Sequence, residues 1–360
     1  MRFVVSVLIA GYFSCSPPRK ESLKLNQIQI IGSHNSYKQA IEDPLRKIVL
    51  AKDSNTIGLD YRHLPIKEQL SLGIRGLEID VLHDPVGSRY SHPVGIKTLV
   101  EKGLTPVPFD SLNQLSVPGL KVLHVPDIDF RSHCLTFLNC LNEIKAWSDS
   151  NSDHLPIIIT INPKDSGVKE PGFTVVLPFS TKVLDSLDQE IFSVFPLSQL
   201  ITPSLIKGDH SSLREAVTTR GWPGLDSLRG KLLFVLDAGK TITGMYIYPS
   251  ASGKPMFVNV EEDDPNAAFF IMNDPVNQLE DIKKKVRAGF MVRTRADADT
   301  REARTGDYSR FQAAIASGAQ LISTDYYEST LSPDGNFQII FSDDKYQRCN
   351  PVTAPINCKL

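Results

Sequence analysis

Eight short runs of aliphatic and β-branched residues each end, on the same C-terminal side, in groups that carry charge or hydrogen-bonding atoms. They are QIIGSHN (29–35), GLEIDV (76–81), KVLHV (121–125), PIIITIN (156–162), KLLFVLD (231–237), AAFFIMN (267–273), FMVRTRAD (290–297) and AQLISTDY (319–326). Several are apolar almost throughout, as suits strands covered on both faces in a parallel sheet. Between them, 63–72, 134–147, 277–287 and 308–317 carry apolar residues at intervals of three and four, the helical period. Strand and helix alternating in this way predict an α/β chain closed as a (β/α)8 TIM barrel, with a doubly wound open sheet as the rival. The stretch from about 165 to 230, after the fourth run, is too long for an ordinary connection. It is expected as an insertion with one or two helices (182–195 is amphipathic) and a loop over the barrel mouth.

The polar endings are the functional signal. They are His34 and Asn35, Glu78 and Asp80, His124 with Asp127 and Asp129, Asn162 and Lys164, Asp237, Asn273 and Asp274, Arg293 with Arg295 and Asp297, and Asp325. In a barrel such ends converge on one mouth, where catalytic groups of this architecture sit. His34 and His124 would supply the base and the acid that phosphodiester cleavage by an internal hydroxyl requires, although His34 alone could equally be a structural histidine. Glu78 and Asp80 alternate with Leu77 and Ile79, so both face inward. With Asn35 they form an all-oxygen set suited to Ca²⁺, less so Mg²⁺, rather than zinc; pairing with barrel arginines is the other reading. Arg293 and Arg295 face the same way and either fork a phosphate or balance those carboxylates. Lys164 is a further phosphate contact, with a plain surface lysine as the alternative, and Asp325 could orient a basic group. Asp127 and Asp129 are read as shaping their loop, and His83, His92, His133, His154 and His210 as surface residues. Phe173, Phe179 and Trp222 are read as core packing rather than lipid contacts.

A formal net charge of −2 and the lack of a long basic run leave no nucleic-acid footprint. Residues 3–13 form an apolar run behind Arg2, too short to span a bilayer and shaped like an export signal. Residues 1–15 are therefore expected as a cleaved signal peptide of a secreted, periplasmic or outer-surface protein; Cys15 is either discarded with it or, if the signal is of lipoprotein type and cut before it, kept as the lipid anchor. The catalytic domain is expected over 24–335 and a tail over 336–360. The four other cysteines suggest two local disulfides, Cys134 with Cys140 and Cys349 with Cys358, the latter closing the tail.

Six segments, IIGSHNSY (30–37), GIRGLEIDV (73–81), VLHVPDID (122–129), GWPGLDSLRGKLLFVLD (221–237), VRTRAD (292–297) and GAQLISTDYY (318–327), resemble the calcium-dependent phosphatidylinositol phospholipase C-like family of bacteria and fungi. The resemblance runs from about 27 to 330. It implies a two-histidine phosphodiesterase, His34 and His124 catalytic, with Asn35, Glu78 and Asp80 as calcium ligands. The similar eukaryotic enzymes use a further glutamate on the fourth strand; this chain offers Asn162, with Lys164 beyond. Lys38 stands where many members have histidine. The implied substrate is phosphatidylinositol at a membrane surface, cleaved to diacylglycerol and cyclic inositol phosphate by a monomer. A glycerophosphodiester phosphodiesterase would carry an HRG-type motif after strand 1, which SHNSY is not. A lipid-binding surface lipoprotein would not need both histidines and the Glu78/Asp80 pair, and Glu78 and Asp80 are too close for a glycosidase.

Overall fold

The computed structural model describes residues 23–342 and 345–360, so the expected export signal and Cys15 lie outside the described residues. Ten strands form one sheet: β1 Ile28–Ser33, β2 Gly76–Asp84, β3 Gly119–Lys121, β4 Ile157–Pro163, β5 Leu232–Leu236, β6 Met256–Val258, β7 Phe269–Ile271, β8 Met291–Arg295, β9 Leu321–Thr324 and β10 Gln347–Cys349. Eight of them run in the order β6-β5-β4-β2-β1-β9-β8-β7, all parallel. Each lies beside its predecessor in the chain, and β9 pairs with β1. That is the circular order of a barrel; a doubly wound sheet would reverse direction partway. The seam between β6 and β7 lacks a main-chain ladder, and there the Ile271 N–H donates to Asn259 Oδ1 at 3.3 Å.

The barrel uses eight strands, but not the expected eight. KVLHV is not a barrel strand: β2 runs past the mouth, and its last residues, Leu82–Asp84, pair antiparallel with β3. The place beside β2 inside the barrel is taken by β4, from Gly76↔Ile158 to Val81↔Pro163. The missing member is β6, three residues behind Pro255, too short to stand out as a period. The insertion at 164–231 consequently follows the third barrel strand. It carries the helices Thr181–Val194, Pro203–Lys207 and Leu213–Thr219, and it buries Phe179 and Trp222 in the core.

Inward-facing positions change character along the barrel axis. Ile30, Ile158, Leu233, Val235, Phe257, Phe269, Met291 and Leu321 belong to one apolar cluster toward the strand starts. Beyond it come Glu78, Thr160, Arg293 and Ser323, and then the charged mouth. Strands β1 and β2 approach closely at Gly32↔Gly76; a Cβ on Gly32 would lie 2.8 Å from Gly76 Cα and from Leu321 Cδ1. This contact sets His34 and Glu78 beside each other two residues further on. Gly32→Ala should therefore destabilise by about 1–3 kcal/mol, read as a lower urea midpoint with an unchanged m-value.

Within the segment expected as a tail, Phe337, Ile339, Phe341 and Tyr346 are buried, and β10 pairs antiparallel with β1. The disulfides join Cys134 to Cys140 and Cys349 to Cys358. No helix among the described residues is long and apolar enough to cross a membrane.

Candidate active site

His34 leaves β1 with its N–H donating to Thr324 O of β9 at 3.0 Å, and Asn35 follows in the left-handed conformation that turns the chain across the mouth. The neighbouring strand supplies the partner of the ring: His34 Nδ1 lies 2.8 Å from Asp325 Oδ1. Its Nε2 is 3.2 Å from Arg295 Nη1 and 3.9 Å from Glu78 Oε1. A carboxylate at Nδ1 selects the tautomer with its proton there, which leaves Nε2 as the basic atom. Burial, and then the Arg295 guanidinium, hold the His34 pKa well below its ordinary value, so the ring is neutral at pH 7. Asp325 is itself steadied by Arg295 Nη2 at 3.0 Å and by its N–H donating to Asp297 at 3.0 Å. Tyr61 stacks on the ring at 5.7 Å, and His63 Nε2 donates to the His34 carbonyl.

His124 repeats the design from a different element. Its Nδ1 is 2.8 Å from Asp129 Oδ2, and its Nε2 has no hydrogen-bond partner among the described residues. A turn with Asp129 N–H donating to Val125 O at 2.8 Å brings the carboxylate back under the ring. Asp129 is therefore a site residue that the sequence reading assigned to loop shape. Asp127 does have that role, accepting from Val94 N–H and Thr174 N–H. His124 thus hangs its ring on a carboxylate through Nδ1, as His34 does. Both side chains keep some solvent contact, at 18% and 17%.

Between the histidines stand the inward carboxylates. Asp80 Oδ2 accepts from Tyr37 Oη at 2.9 Å and pairs with Lys164 Nζ at 2.9 Å. Burial opposes the charge of Lys164, but Asp80 outweighs it and the lysine pKa rises. Glu78 Oε2 is bound by Arg293 Nη2, whose guanidinium also donates to Asn273 Oδ1 at 2.8 Å and Ser323 Oγ at 3.2 Å. Arg293 is only 1% exposed. Of the two roles expected for it, the geometry supports balancing Glu78: its Nη groups engage protein acceptors below the mouth. Arg295 stays at the mouth beside His34, and Lys164 and Asn162 line a cavity of about 380 Å³ together with Asp237 and Lys240. His154, read from sequence as a surface residue, is buried and bonds Ser148.

The oxygen donors fit a hard cation. Asn35 Oδ1 and Asp80 Oδ1 are buried without a hydrogen-bond partner, an expensive state for polar atoms unless something else meets them. The register places Asp80 opposite Asn162, and Ile161 opposite Leu236, so Asp80, Asn162 and Asp237 form a row across β2, β4 and β5. Burial pushes the Asp237 pKa up to about 6; Arg293 opposes this, and Glu78 and Asp80 add to it. No group of three or more His, Cys, Asp or Glu side chains among the described residues is assembled as a metal cluster. Two of the expected ligands are asparagines, and one oxygen each of Glu78 and Asp80 is engaged by Arg293 and Lys164.

Residues 23–351 match the family model described as phosphoinositide phospholipase C, Ca²⁺-dependent. Among solved structures the chain is similar to the calcium-dependent phosphoinositol-specific phospholipase C of a Pseudomonas species. That match has 16% identity and a TM-score of 0.57, covering 91% of this chain and 96% of the other. The Ca²⁺-dependent phosphatidylinositol-specific phospholipase C of Streptomyces antibioticus is 17% identical with a TM-score of 0.53, over 85% of this chain and 96% of the other. No curated protein is significantly similar in sequence.

Proposed function

Since this chain belongs to the Ca²⁺-dependent phosphoinositide phospholipase C family, we propose that it cleaves phosphatidylinositol-type lipids to diacylglycerol and a cyclic inositol phosphate by proton transfer between two histidines. The observation that carries this is the paired construction: each ring has Nδ1 against a carboxylate, His34 on Asp325 and His124 on Asp129. In each ring this leaves Nε2 to exchange a proton with substrate. His34, neutral and beside Asn35 and Glu78, takes the proton of the inositol 2-hydroxyl as its oxygen bonds to phosphorus. His124, in the role of the acid, delivers a proton from Nε2 to the glycerolipid oxygen as the old P–O bond breaks. Arg295 and Lys164 are the cationic groups at the mouth that can meet the phosphoryl oxygens. Asn35, Glu78 and Asp80 would hold calcium, with Asn162 and Asp237 offering the next oxygens, and the bound ion would supply Lewis-acid polarisation of the hydroxyl and the phosphate.

The test is incubation of the mature protein with phosphatidylinositol vesicles in calcium or in EGTA, followed by phosphorus NMR of the water-soluble products. A calcium-dependent cyclic phosphate signal is expected. Calcium-independent release would remove the metal from this reading. Binding of calcium with no release would move the substrate to another phosphodiester.

A further inference from the structure

Lys38 has no role in the proton transfers proposed above, yet it is fully buried, at 0% exposure. A charged ammonium in that position costs several kcal/mol of desolvation unless it is paired and hydrogen-bonded, and such groups stabilise a fold poorly. Its partners are specific. Nζ donates to Tyr61 O at 2.6 Å and Leu59 O at 2.9 Å, lies 3.3 Å from Asp129 Oδ1, and sits 4.4 Å from the centroid of the Tyr61 ring. Asp129 is the carboxylate whose other oxygen holds His124 Nδ1. Tyr61 is the ring that stacks on His34 and whose Oη accepts from Asn35 Nδ2 at 2.7 Å. One ammonium thus touches the supports of both histidines. The main chain is tied into the same joint. Tyr37 O accepts from His133 N–H, Gln39 N–H donates to Arg131 O, and Lys38 O accepts from His63 N–H.

Asp129 Oδ1 has no hydrogen bond in this arrangement, so its contact with Lys38 is the ion pair alone. Without the ammonium, that oxygen would be buried and unmatched. The carboxylate could then rotate or take up a proton, and either change alters the acceptor that fixes the His124 tautomer.

We propose that Lys38 is a positioning residue that sets the two histidines relative to one another, by fixing the Asp129 carboxylate under His124 and the Tyr61 ring under His34. It rests on the two-histidine reading for its kinetic consequence and on the geometry alone for its structural one. A displacement of about 1 Å at a reacting group can cost on the order of 10²-fold in rate, so a fall in kcat with little change in KM is the signature.

The experiment combines Lys38→Met with Asp129→Asn, singly and together, with phosphatidylinositol turnover and the proton spectrum of the His124 Nδ1–H as readouts. Lys38→Met is expected to lower kcat roughly 10- to 100-fold, with KM changed by less than about threefold. In the Asp129→Asn background the same change should cost less than about threefold, because the group it acts through is already altered. The downfield Nδ1–H signal of His124 should move or vanish in Lys38→Met. Lys38→Gln, which keeps a hydrogen-bond donor without the charge, serves if the methionine variant does not fold, with the same expectations. An unchanged kcat, or an equal loss in both backgrounds, would overturn the proposal. If the wild-type protein does not turn over phosphatidylinositol, the proton spectrum decides by itself: a His124 signal identical in wild type and variant sinks the positioning role.

Discussion

Replacing His34 with alanine lowers kcat on phosphatidylinositol by roughly 10²–10⁴-fold, and replacing His124 does the same, while both proteins remain folded. The size follows from the role, since each ring is asked to move one proton in the transition state. Survival of the fold follows from what each deletion leaves behind. Without the His34 ring, Asp325 keeps Arg295 at 3.0 Å, and without the His124 ring, Asp129 keeps Lys38 at 3.3 Å. Neither carboxylate becomes an unpaired buried charge. The two losses should not add, because a reaction that has lost its base gains little from retaining its acid. The measurement is kcat and KM for both single variants and the double variant, with melting curves as the control. A His124→Ala protein that keeps a tenth or more of the wild-type kcat would remove that ring from the chemistry.

The parts of this site that could be read from sequence are those fixed by strand geometry. Alternation put Glu78 and Asp80 on one face and Arg293 and Arg295 on one face, and the barrel turned all four inward. Asp325 could be suspected because a strand ending in a carboxylate lies beside the strand that ends in His34 once the barrel closes. The rest depends on contacts that no period encodes. KVLHV has the composition of a barrel strand, but β4 had already taken the edge of β2, so the segment leaves the sheet and delivers His124 from a loop. Asp129 reaches that histidine through a turn of five residues, and only the spacing His-x4-Asp hints at it. Tyr61 and His63 contribute from a connection between strands, where sequence shows only two aromatic rings near a proline. The direction of Arg293 was open because a forked cation serves a phosphate and a carboxylate equally well. Depth favours the carboxylate: at 1% exposure its nearest anion is Glu78.

That depth makes Arg293→Met the second large effect. Glu78 would lose the guanidinium that binds Oε2, and Asn273 and Ser323 would lose their donors. Removing one member of a buried ion pair costs about 3–5 kcal/mol, chiefly because the remaining charge stays desolvated. Asp80 and Asp237 nearby make matters worse, since Arg293 is also 3.9 Å from Asp237 Oδ2. A chain of this length should then melt roughly 4–7 °C lower. Calcium is what makes the variant informative. In the wild-type protein an ion binding Glu78 meets a carboxylate already shared with Arg293, so part of its attraction is spent against an existing partner. In Arg293→Met the same ion would meet an unbalanced Glu78. Its stabilisation, which grows with the logarithm of concentration over Kd, should be larger. The expected result is a greater rise in Tm on adding calcium in the variant than in the wild type, abolished in both by EGTA. Equal rises would mean that the ion and Arg293 do not share Glu78, and the ligand set would have to be rebuilt around Asp80, Asn162 and Asp237. A variant that melts like the wild type would show instead that Glu78 is neutral in the folded protein, which removes the reason for a divalent cation at that carboxylate.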